Sequence, residues 1–177
     1  MSAHNTRPHA IIVMGGSGCG KSSVGEAVAK ALSVEFAEGD ALHPASNVEK
    51  MSKGIPLTDE DRMPWLDIIG RTMKAALDRG EGIVVSCSAL KKTYRDRLRA
   101  SVDGNLHFVY LHGSKELLTS RMGARKGHFM PLSLLENQLA TLEIPTGEPG
   151  VVTVDIDRTI DEIAKTALRD LAALGIA

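Results

Sequence analysis

The chain has 177 residues, of which 43% are hydrophobic but only 3% aromatic, and its formal net charge at pH 7 is −1. This length and apolar content predict one compact domain with an aliphatic core and exclude a disordered chain. The near-neutral charge and the scarcity of aromatic residues argue against a nucleic-acid-binding protein, which needs a basic face and, for single strands, stacking side chains.

No part of the sequence predicts export or membrane insertion. Cys19 and Cys87 stand apart and form no CxxC pair, which argues against a disulfide scaffold or a zinc site. Residues 1–9 are polar and lack the apolar segment of a signal peptide. No apolar stretch approaches the ~20 residues that span a bilayer. We therefore expect a cytoplasmic protein with no membrane segment and no nucleic-acid partner.

Strand-like and helix-like segments alternate along the chain, which predicts an α/β fold with a mainly parallel sheet in a single domain over residues 1–177. Short apolar runs predict strands at 10–14, 34–37, 82–87, 106–111 and 151–154. Apolar residues at helical spacing predict helices at 21–32, 42–51, 59–79, 91–100, 114–123, 132–142 and about 160–171. Thr58 and Asp61 fit a capping box at the start of the long third helix.

Residues 15–22, Gly-Gly-Ser-Gly-Cys-Gly-Lys-Ser, match the phosphate-binding pattern GxxxxGK[ST] in full. Glycines let the backbone N–H groups converge on phosphate oxygens, and the following helix points its positive end at the same phosphates. Lys21 is expected to reach the β- and γ-phosphates, and the Ser22 hydroxyl to bind Mg²⁺. A strand precedes the motif and a helix follows it, which disfavours a chance glycine-rich turn. The predicted nucleotide-binding residues of this loop are Gly15, Gly16, Ser17, Gly18, Cys19, Gly20, Lys21, Ser22 and Ser23.

A phosphate-binding loop does not by itself define the reaction. Switch GTPases share the loop but recognise guanine with an NKxD segment, which this sequence lacks. The loop therefore indicates a nucleotide bound with Mg²⁺, and the residues do not indicate a switch GTPase. Cys19 occupies a variable position of the motif, and we expect no redox role for it.

Asp40 follows the second predicted strand, and in an open parallel sheet ligands bind outside the carboxyl ends of the strands. A carboxylate there can accept the proton of an attacking hydroxyl or hold water on Mg²⁺. Asp before a helical run is equally suited to capping that helix, so the residues alone leave both roles open. In the same way, His43 either bonds a substrate hydroxyl or steadies the turn at Pro44.

Basic residues gather after successive predicted strands. Arg62 offers a planar fork suited to a carboxylate, or it forms an internal ion pair with Asp59 or Asp61. Lys91 and Arg95 lie four residues apart on one helix face and either line an anion pocket or form a solvated surface.

Further basic residues, among them Arg121 and Arg125, flank or occupy the glycine-containing loop at 125–131. A mobile basic loop over a nucleotide suits a kinase lid, which we place at about 123–133, although a plain surface loop has the same composition.

Several segments together have the pattern of one known family. They are the phosphate-binding loop, 39–44, 51–66, 87–91 with Tyr94, Arg95, Leu98 and Arg99, 125–131 and 138–143. With these segments the chain resembles bacterial gluconokinase. The resemblance spans nearly the whole chain, and its most specific parts are residues 54–66 and 128–131.

Gluconokinases transfer the γ-phosphoryl group of ATP to the C6 hydroxyl of D-gluconate, with Mg²⁺, to give 6-phosphogluconate and ADP. The resemblance implies this activity and a homodimer. It also implies the three-layer fold of a P-loop kinase related to shikimate kinase. That fold has a five-stranded parallel sheet with helices on both faces, a lid and a substrate-binding helical region, here at about 40–66.

The resemblance also assigns roles to single residues. It makes Asp40 the base and a substrate anchor, with Lys21 and Arg125 as the other catalytic residues. Arg121 and Arg125 are implied to contact phosphates, and residues near Asp157 and Arg158 to contact adenine. The residues implied to bind gluconate are Asp40, His43, Arg62, Lys91, Arg95 and Gln138.

Two other functions stay open at this stage. One is a kinase of the same fold acting on shikimate or a nucleotide, although a shikimate kinase should carry a glycine-rich segment where residues 86–88 stand. The other is a nucleotide-dependent regulatory protein with no small acceptor, which accounts for the loop but not for the basic groups after successive strands.

Overall fold

In a computed structural model that describes residues 8–16, 19–124 and 132–176, five parallel strands form one sheet. The strands are β1 Ala10–Met14, β2 Glu35–Glu38, β3 Ile83–Ser86, β4 Leu106–His112 and β5 Val151–Asp155. Their order is β2-β3-β1-β4-β5, and Ile12 of the central strand pairs with Val85 on one side and Phe108 on the other. The predicted five-stranded parallel sheet is confirmed.

The predicted helices are present, with ends that shift by a residue or two as helix ends commonly do. They are α1 Lys21–Leu32, α2 Ala45–Ser52, α3 Asp59–Asp78, α4 Lys92–Ser101, α5 Lys115–Ala124, α6 Leu132–Thr141 and α7 Ile160–Ala173. The predicted capping box of α3 forms in full between Thr58 and Asp61.

One helix prediction is wrong at its N-terminal end. Residues 42–51 were expected to form one helix, but Gly39–Leu42 is a short 3₁₀ helix and α2 begins only at Ala45. Pro44 separates the two, because proline cannot donate an amide hydrogen and keeps the residue before it extended. His43 accordingly has φ −64° and ψ 137°.

Helices cover both faces of the sheet, which gives three layers. Alternate side chains of β1 point to opposite faces, so Ile11 and Val13 pack toward α1 and α7, while Ile12 and Met14 pack toward α3 and α4. One stripe of α3 faces the sheet, and its residues Trp65, Ile69, Met73 and Ala76 are almost fully buried. Among the helices in the described ranges, none combines the length and apolar character needed to cross a bilayer.

This topology brings three connections to one edge of the sheet. The phosphate-binding loop follows β1, the 3₁₀ helix follows β2, and residues 87–91 follow β3, and these three strands are neighbours. Ligands of open parallel sheets bind at that edge. Ser17, Gly18 and the predicted lid loop with Arg125 lie outside the described residues.

Candidate active site

The phosphate-binding loop leads from β1 directly into the N-terminus of α1. Gly20 adopts a left-handed conformation with φ 87°, which suits glycine, and it caps a helix whose first amides point back toward the loop. Lys21 folds over the loop and its Nζ donates to the Gly16 carbonyl oxygen at 3.3 Å. Ser23 is exposed on the first turn of α1. Helix α6 lies close to this loop, as a Cβ placed on Gly16 would be 3.8 Å from Gln138 Oε1.

The environment of Lys21 keeps it positively charged. Burial by itself lowers the pKa of Lys21, but nearby acidic groups, among them the carboxyl groups of Asp40 and Glu38, outweigh burial and raise it. Burial also raises the pKa of the Cys19 thiol, and that of Cys87 to about 12, so both thiols are neutral at physiological pH. The negative charges that Lys21 meets are therefore the carboxylates of Asp40 and Glu38.

Sequence reasoning missed Glu38, the last residue of β2. Its carboxylate accepts a hydrogen bond from Ser22 Oγ at 2.6 Å and another from Ser86 Oγ at 2.7 Å. Gly39 N donates to the same Ser86 oxygen at 3.2 Å. A cluster of hard oxygen ligands beside the predicted Mg²⁺ ligand suits that ion. The sequence feature that could have identified Glu38 as a site residue is its position, since it is an acidic residue at the end of a strand, two positions before Asp40.

Asp40 does not cap α2, because Pro44 holds the N-cap position there and no side chain caps that helix. The carboxylate makes no hydrogen bond or ion pair within the described part of the chain, and it lines a pocket next to the phosphate-binding loop. The position favours a role toward ligands over the capping role.

The pocket lined by Asp40, which we call the acceptor pocket, lies between the 3₁₀ helix, α2, α3 and α6. It brings together residues that the sequence singled out separately, namely Asp40, His43, Arg62 and Gln138. The remaining lining residues are Met51, Pro56, Leu57, Trp65, Ser88 and Asn137.

Arg62, in the first turns of α3, is only 8% exposed and lines the pocket. Its Nη1 donates to Tyr94 Oη at 2.9 Å, and its guanidinium lies 5.3 Å from the Tyr94 ring centroid. Among the described residues no carboxylate lies within 4.0 Å of it. Its link to a carboxylate is indirect, through Tyr94 Oη to Asp59. A nearly buried cation with no carboxylate in direct contact is costly, so its position beside an open pocket suits an anionic ligand.

The alternative ion pairs of Arg62 with Asp59 or Asp61 do not form, because both carboxylates have other partners. Asp59 accepts hydrogen bonds from Tyr94 Oη and from Lys91 Nζ, the latter at 3.0 Å, and these bonds lower its pKa. Asp61 pairs with Lys50 at 2.8 Å and caps α3, and these bonds lower its pKa to about 2. The guanidinium therefore has no carboxylate in direct contact among the described residues.

His43 stacks on Trp65, with ring centroids 4.0 Å apart and an angle of 14° between the planes. Trp65 Nε1 donates to the Gly39 carbonyl oxygen at 2.8 Å, which holds the indole in place. Burial lowers the pKa of His43 to about 4, the Arg62 charge adds to this effect, and Asp40 opposes it. The imidazole is therefore neutral at physiological pH.

The structure corrects the interpretation of Arg95, which was expected to bind the substrate. Its side chain lies on the buried face of α4, and each guanidinium nitrogen donates a hydrogen bond to the protein. Nε and Nη2 hold Glu148 at 3.0 and 2.6 Å, Nη2 also reaches the Glu143 carbonyl oxygen, and Nη1 that of Ala89. Arg95 is a structural residue.

Other predicted residues lie away from the pocket. Lys91 is paired with Asp59 and does not line the pocket. Arg121 Nη2 donates to the Ile156 carbonyl oxygen at 2.7 Å and so holds the connection after β5, near the segment expected to meet adenine. The described contacts of these two side chains are with protein, and their predicted ligand roles stay predictions.

Replacing Glu148 by Ala should lower the free energy of unfolding by about 3 kcal/mol, because Arg95 would remain buried without its partner. Glu148 also accepts from Arg99 at 3.0 Å, and both arginine side chains are at most 14% exposed. Urea unfolding measures the change. The matched control is Asp67→Ala, which removes a surface pair with Arg97 and should cost less than about 1 kcal/mol.

The same contribution should depend on pH. Hydrogen bonds from Arg95 and Arg99 lower the pKa of Glu148 from its ordinary value of 4.5 in the folded chain. Its stabilisation is therefore complete above that value and is lost as the pH falls through the lowered one. The difference in the free energy of unfolding between the parent chain and Glu148→Ala should shrink on acidification. A difference that does not depend on pH would contradict this account.

Three features of the structure are typical of P-loop kinases. They are the five-stranded parallel sheet, the GKS loop between its central strand and the next helix, and the polar pocket at the same edge. The protein is a P-loop kinase.

Comparison with known proteins supports this class and narrows it. The family model described as shikimate kinase matches residues 17–144. A gluconokinase of Gluconobacter oxydans (strain 621H) is 44% identical over 98% of this chain and 99% of its own. The thermoresistant gluconokinase of Escherichia coli (strain K12) is 42% identical over 95% and 96%. The chain belongs to the gluconokinase family.

Solved structures agree. The crystal structure of a gluconokinase from Sinorhizobium meliloti 1021 superposes with a TM-score of 0.87 and 57% identity, over 95% of this chain and 94% of that one. The APS kinase CysC of Mycobacterium tuberculosis gives a TM-score of 0.65 at 21% identity, over 94% and 98%, which shows a shared fold.

Proposed function

We propose that this protein transfers the γ-phosphoryl group of ATP to the C6 hydroxyl of D-gluconate, giving 6-phosphogluconate and ADP. The observation that carries the proposal is that Arg62 and Asp40 line the same pocket beside the phosphate-binding loop. An unpaired, nearly buried guanidinium suits the carboxylate of an acid, and a free carboxylate next to Lys21 suits a hydroxyl that must lose its proton. Membership of the gluconokinase family supports the same substrate.

In this mechanism Arg62 binds the gluconate carboxylate through its fork, which orients the chain of hydroxyl groups toward Asp40. The C6 oxygen bonds to the γ-phosphorus as the bond from that phosphorus to the β-phosphate oxygen breaks, and ADP leaves. Asp40 accepts the C6 hydroxyl proton and later passes it to solvent. Lys21 stabilises the charge that develops on the phosphates.

The residues beside the loop fit a magnesium ion. Ser22 and Glu38 would hold it or its water, since both present oxygen atoms at the ends of neighbouring elements. When bound, Mg²⁺ neutralises charge on the β- and γ-phosphates. Among the described residues, no group of three or more His, Cys, Asp or Glu side chains could hold a metal ion. Magnesium usually keeps several waters and binds through one or two protein ligands plus substrate phosphates.

The proposal extends to three features beyond this geometry. Arg125, in the lid at about 123–133, closes over the transferring phosphoryl group, and Arg121 assists from the end of α5. The acceptor region spans about 40–66, and the active form is a homodimer. Sedimentation velocity would test the last point, and a monomer at assay concentration would exclude it.

Coupled ATP turnover with Mg²⁺ tests the function against D-gluconate, shikimate, glucose, other sugar acids and a nucleoside monophosphate. We expect strong stimulation by gluconate alone. Turnover on shikimate or a nucleotide in place of gluconate would overturn the substrate while keeping the class. Slow hydrolysis that no acceptor stimulates would indicate a regulatory protein instead.

Replacing Glu38 by Gln should raise the Mg²⁺ concentration for half-maximal turnover by about 10-fold, because a neutral amide orients Ser22 and holds the cation less well. Magnesium titrations at saturating ATP and gluconate measure it. The matched control is Glu35→Gln, at the exposed other end of β2. An unchanged magnesium requirement in Glu38→Gln would remove Glu38 from the metal site.

A further inference from the structure

Asn47, on α2, is a polar side chain that the mechanism above does not use, although it is only 2% exposed. Its amide nitrogen lies 2.9 Å from the Asp61 backbone carbonyl oxygen and 3.2 Å from His43 Nδ1. One amide group thus joins a backbone carbonyl of α3 to a side chain of the acceptor pocket.

The Asp61 carbonyl fixes which way this amide points. A carbonyl oxygen can only accept a hydrogen bond, so the Asn47 nitrogen, and not its oxygen, must face it. The same nitrogen faces His43 Nδ1. An amide nitrogen can only donate, and therefore Nδ1 accepts and carries no hydrogen.

A neutral imidazole with a bare Nδ1 carries its hydrogen on Nε2. The ring cannot turn easily, because it lies flat against Trp65, and the indole is itself anchored to Gly39. Burial disfavours the cation, and together with the Arg62 charge it outweighs the opposing effect of Asp40, so the pKa of His43 falls to about 4. Nε2 makes no hydrogen bond to the described residues, and His43 lines the pocket together with Asp40.

We propose that Asn47 is a positioning residue that holds His43 as its Nε2–H tautomer, so that His43 presents a neutral N–H donor to a non-reacting hydroxyl oxygen of the acceptor. This inference rests on the proposed function. A donor beside the Asp40 carboxylate suits a polyol, because one hydroxyl gives its hydrogen to Asp40 while another accepts from His43. The His43 N–H helps to bind the acceptor substrate but takes no part in the phosphoryl transfer. Its loss should therefore change the KM for the acceptor and not kcat.

Nitrogen-15 NMR of the histidine rings tests the tautomer directly in the free protein. The resonances of His43, one of 6 histidines, are assigned by their loss in His43→Phe. We expect a protonated Nε2 and a bare Nδ1 at neutral pH, and a mixture of tautomers in Asn47→Leu. A protonated Nδ1 in the parent protein would overturn the proposal, whatever the acceptor proves to be.

Kinetics test the consequence. Asn47→Leu and His43→Phe should each raise KM for gluconate by about 10-fold, the effect of one lost hydrogen bond, with kcat changed less than about 3-fold. In the His43→Phe background Asn47→Leu should add nothing, because it acts through His43. Equal effects of Asn47→Leu with and without His43 would show a purely structural role and overturn the proposal.

Lys50→Met is the matched control, since Lys50 also joins α2 to Asp61, at 2.8 Å, without touching His43, and the bond from Thr58 N at 2.9 Å keeps the Asp61 carboxylate at the start of α3 when Lys50 is removed. It should leave KM and the His43 resonances unchanged. If Lys50→Met raises KM as Asn47→Leu does, packing of α2 on α3 is responsible and the proposal fails. If the tautomer is as expected but gluconate is not phosphorylated, the proposed function fails and the assignment of Asn47 remains.

Discussion

Replacing Asp40 by Asn should lower kcat by about 100-fold or more while leaving the affinity for ATP nearly unchanged, as expected when a positioned base is lost. The carboxylate lines the acceptor pocket and makes no hydrogen bond within the described ranges, so its replacement disturbs little structure. An amide has the same shape but cannot take the proton of the C6 hydroxyl. Steady-state kinetics with gluconate and calorimetric titration with ATP measure the two quantities.

A matched control separates this effect from the loss of any carboxylate. Asp67→Asn makes the same chemical change on α3, where the side chain is 39% exposed and pairs with Arg97 on the surface. It should leave kcat unchanged. If Asp40→Asn retains near-normal turnover, Asp40 is not the base, and if it loses ATP affinity in parallel, its main role lies with the nucleotide.

The second large effect is expected at Arg62. Arg62→Met should raise KM for gluconate by about 100-fold, because the variant removes the partner of a desolvated carboxylate. The effect should depend on the charge of the substrate. D-glucitol, in which a CH₂OH group replaces the carboxylate, should be a poor acceptor for the parent enzyme, and Arg62→Met should lose most of this preference.

Two further measurements make the Arg62 prediction specific. Arg97→Met removes a surface arginine that is 44% exposed and should leave both substrates unaffected. The stability of Arg62→Met should not fall as that of Glu148→Ala does, because Arg62 has no carboxylate partner to leave behind. If the variant keeps its preference for gluconate over glucitol, the carboxylate binds elsewhere in the pocket.

The end of β2 serves both halves of the site. Glu38 turns toward Ser22 of the phosphate-binding loop, and Asp40 toward the acceptor pocket, with Gly39 between them. A Cβ on Gly39 would lie 1.9 Å from the Ser86 carbonyl oxygen, so only glycine lets the start of the 3₁₀ helix lie this close to the end of β3. The close approach lets one short segment carry one carboxylate to Ser22 and another into the acceptor pocket.

Local features of the sequence were enough to predict the sheet, the helices and the phosphate-binding loop. Periodicity of apolar residues marks each strand and helix, because side chains alternate along a strand and recur every turn of a helix. The α3 capping box and the GKS motif likewise involve neighbours in the chain. Where a local rule was overlooked, at Pro44, the predicted helix boundary was wrong.

The pairing of charges could be decided only by the tertiary structure. Arg62 and Arg95 were indistinguishable as candidates, yet Arg95 meets Glu148, 53 residues away, while Arg62 meets no carboxylate among the described residues. Glu38 was missed because its partners, Ser22 and Ser86, come from other parts of the chain. Sequence pattern by itself determined which elements form, since they depend on near neighbours. Which polar groups face a ligand depends on contacts between distant residues, and only the folded chain decides it.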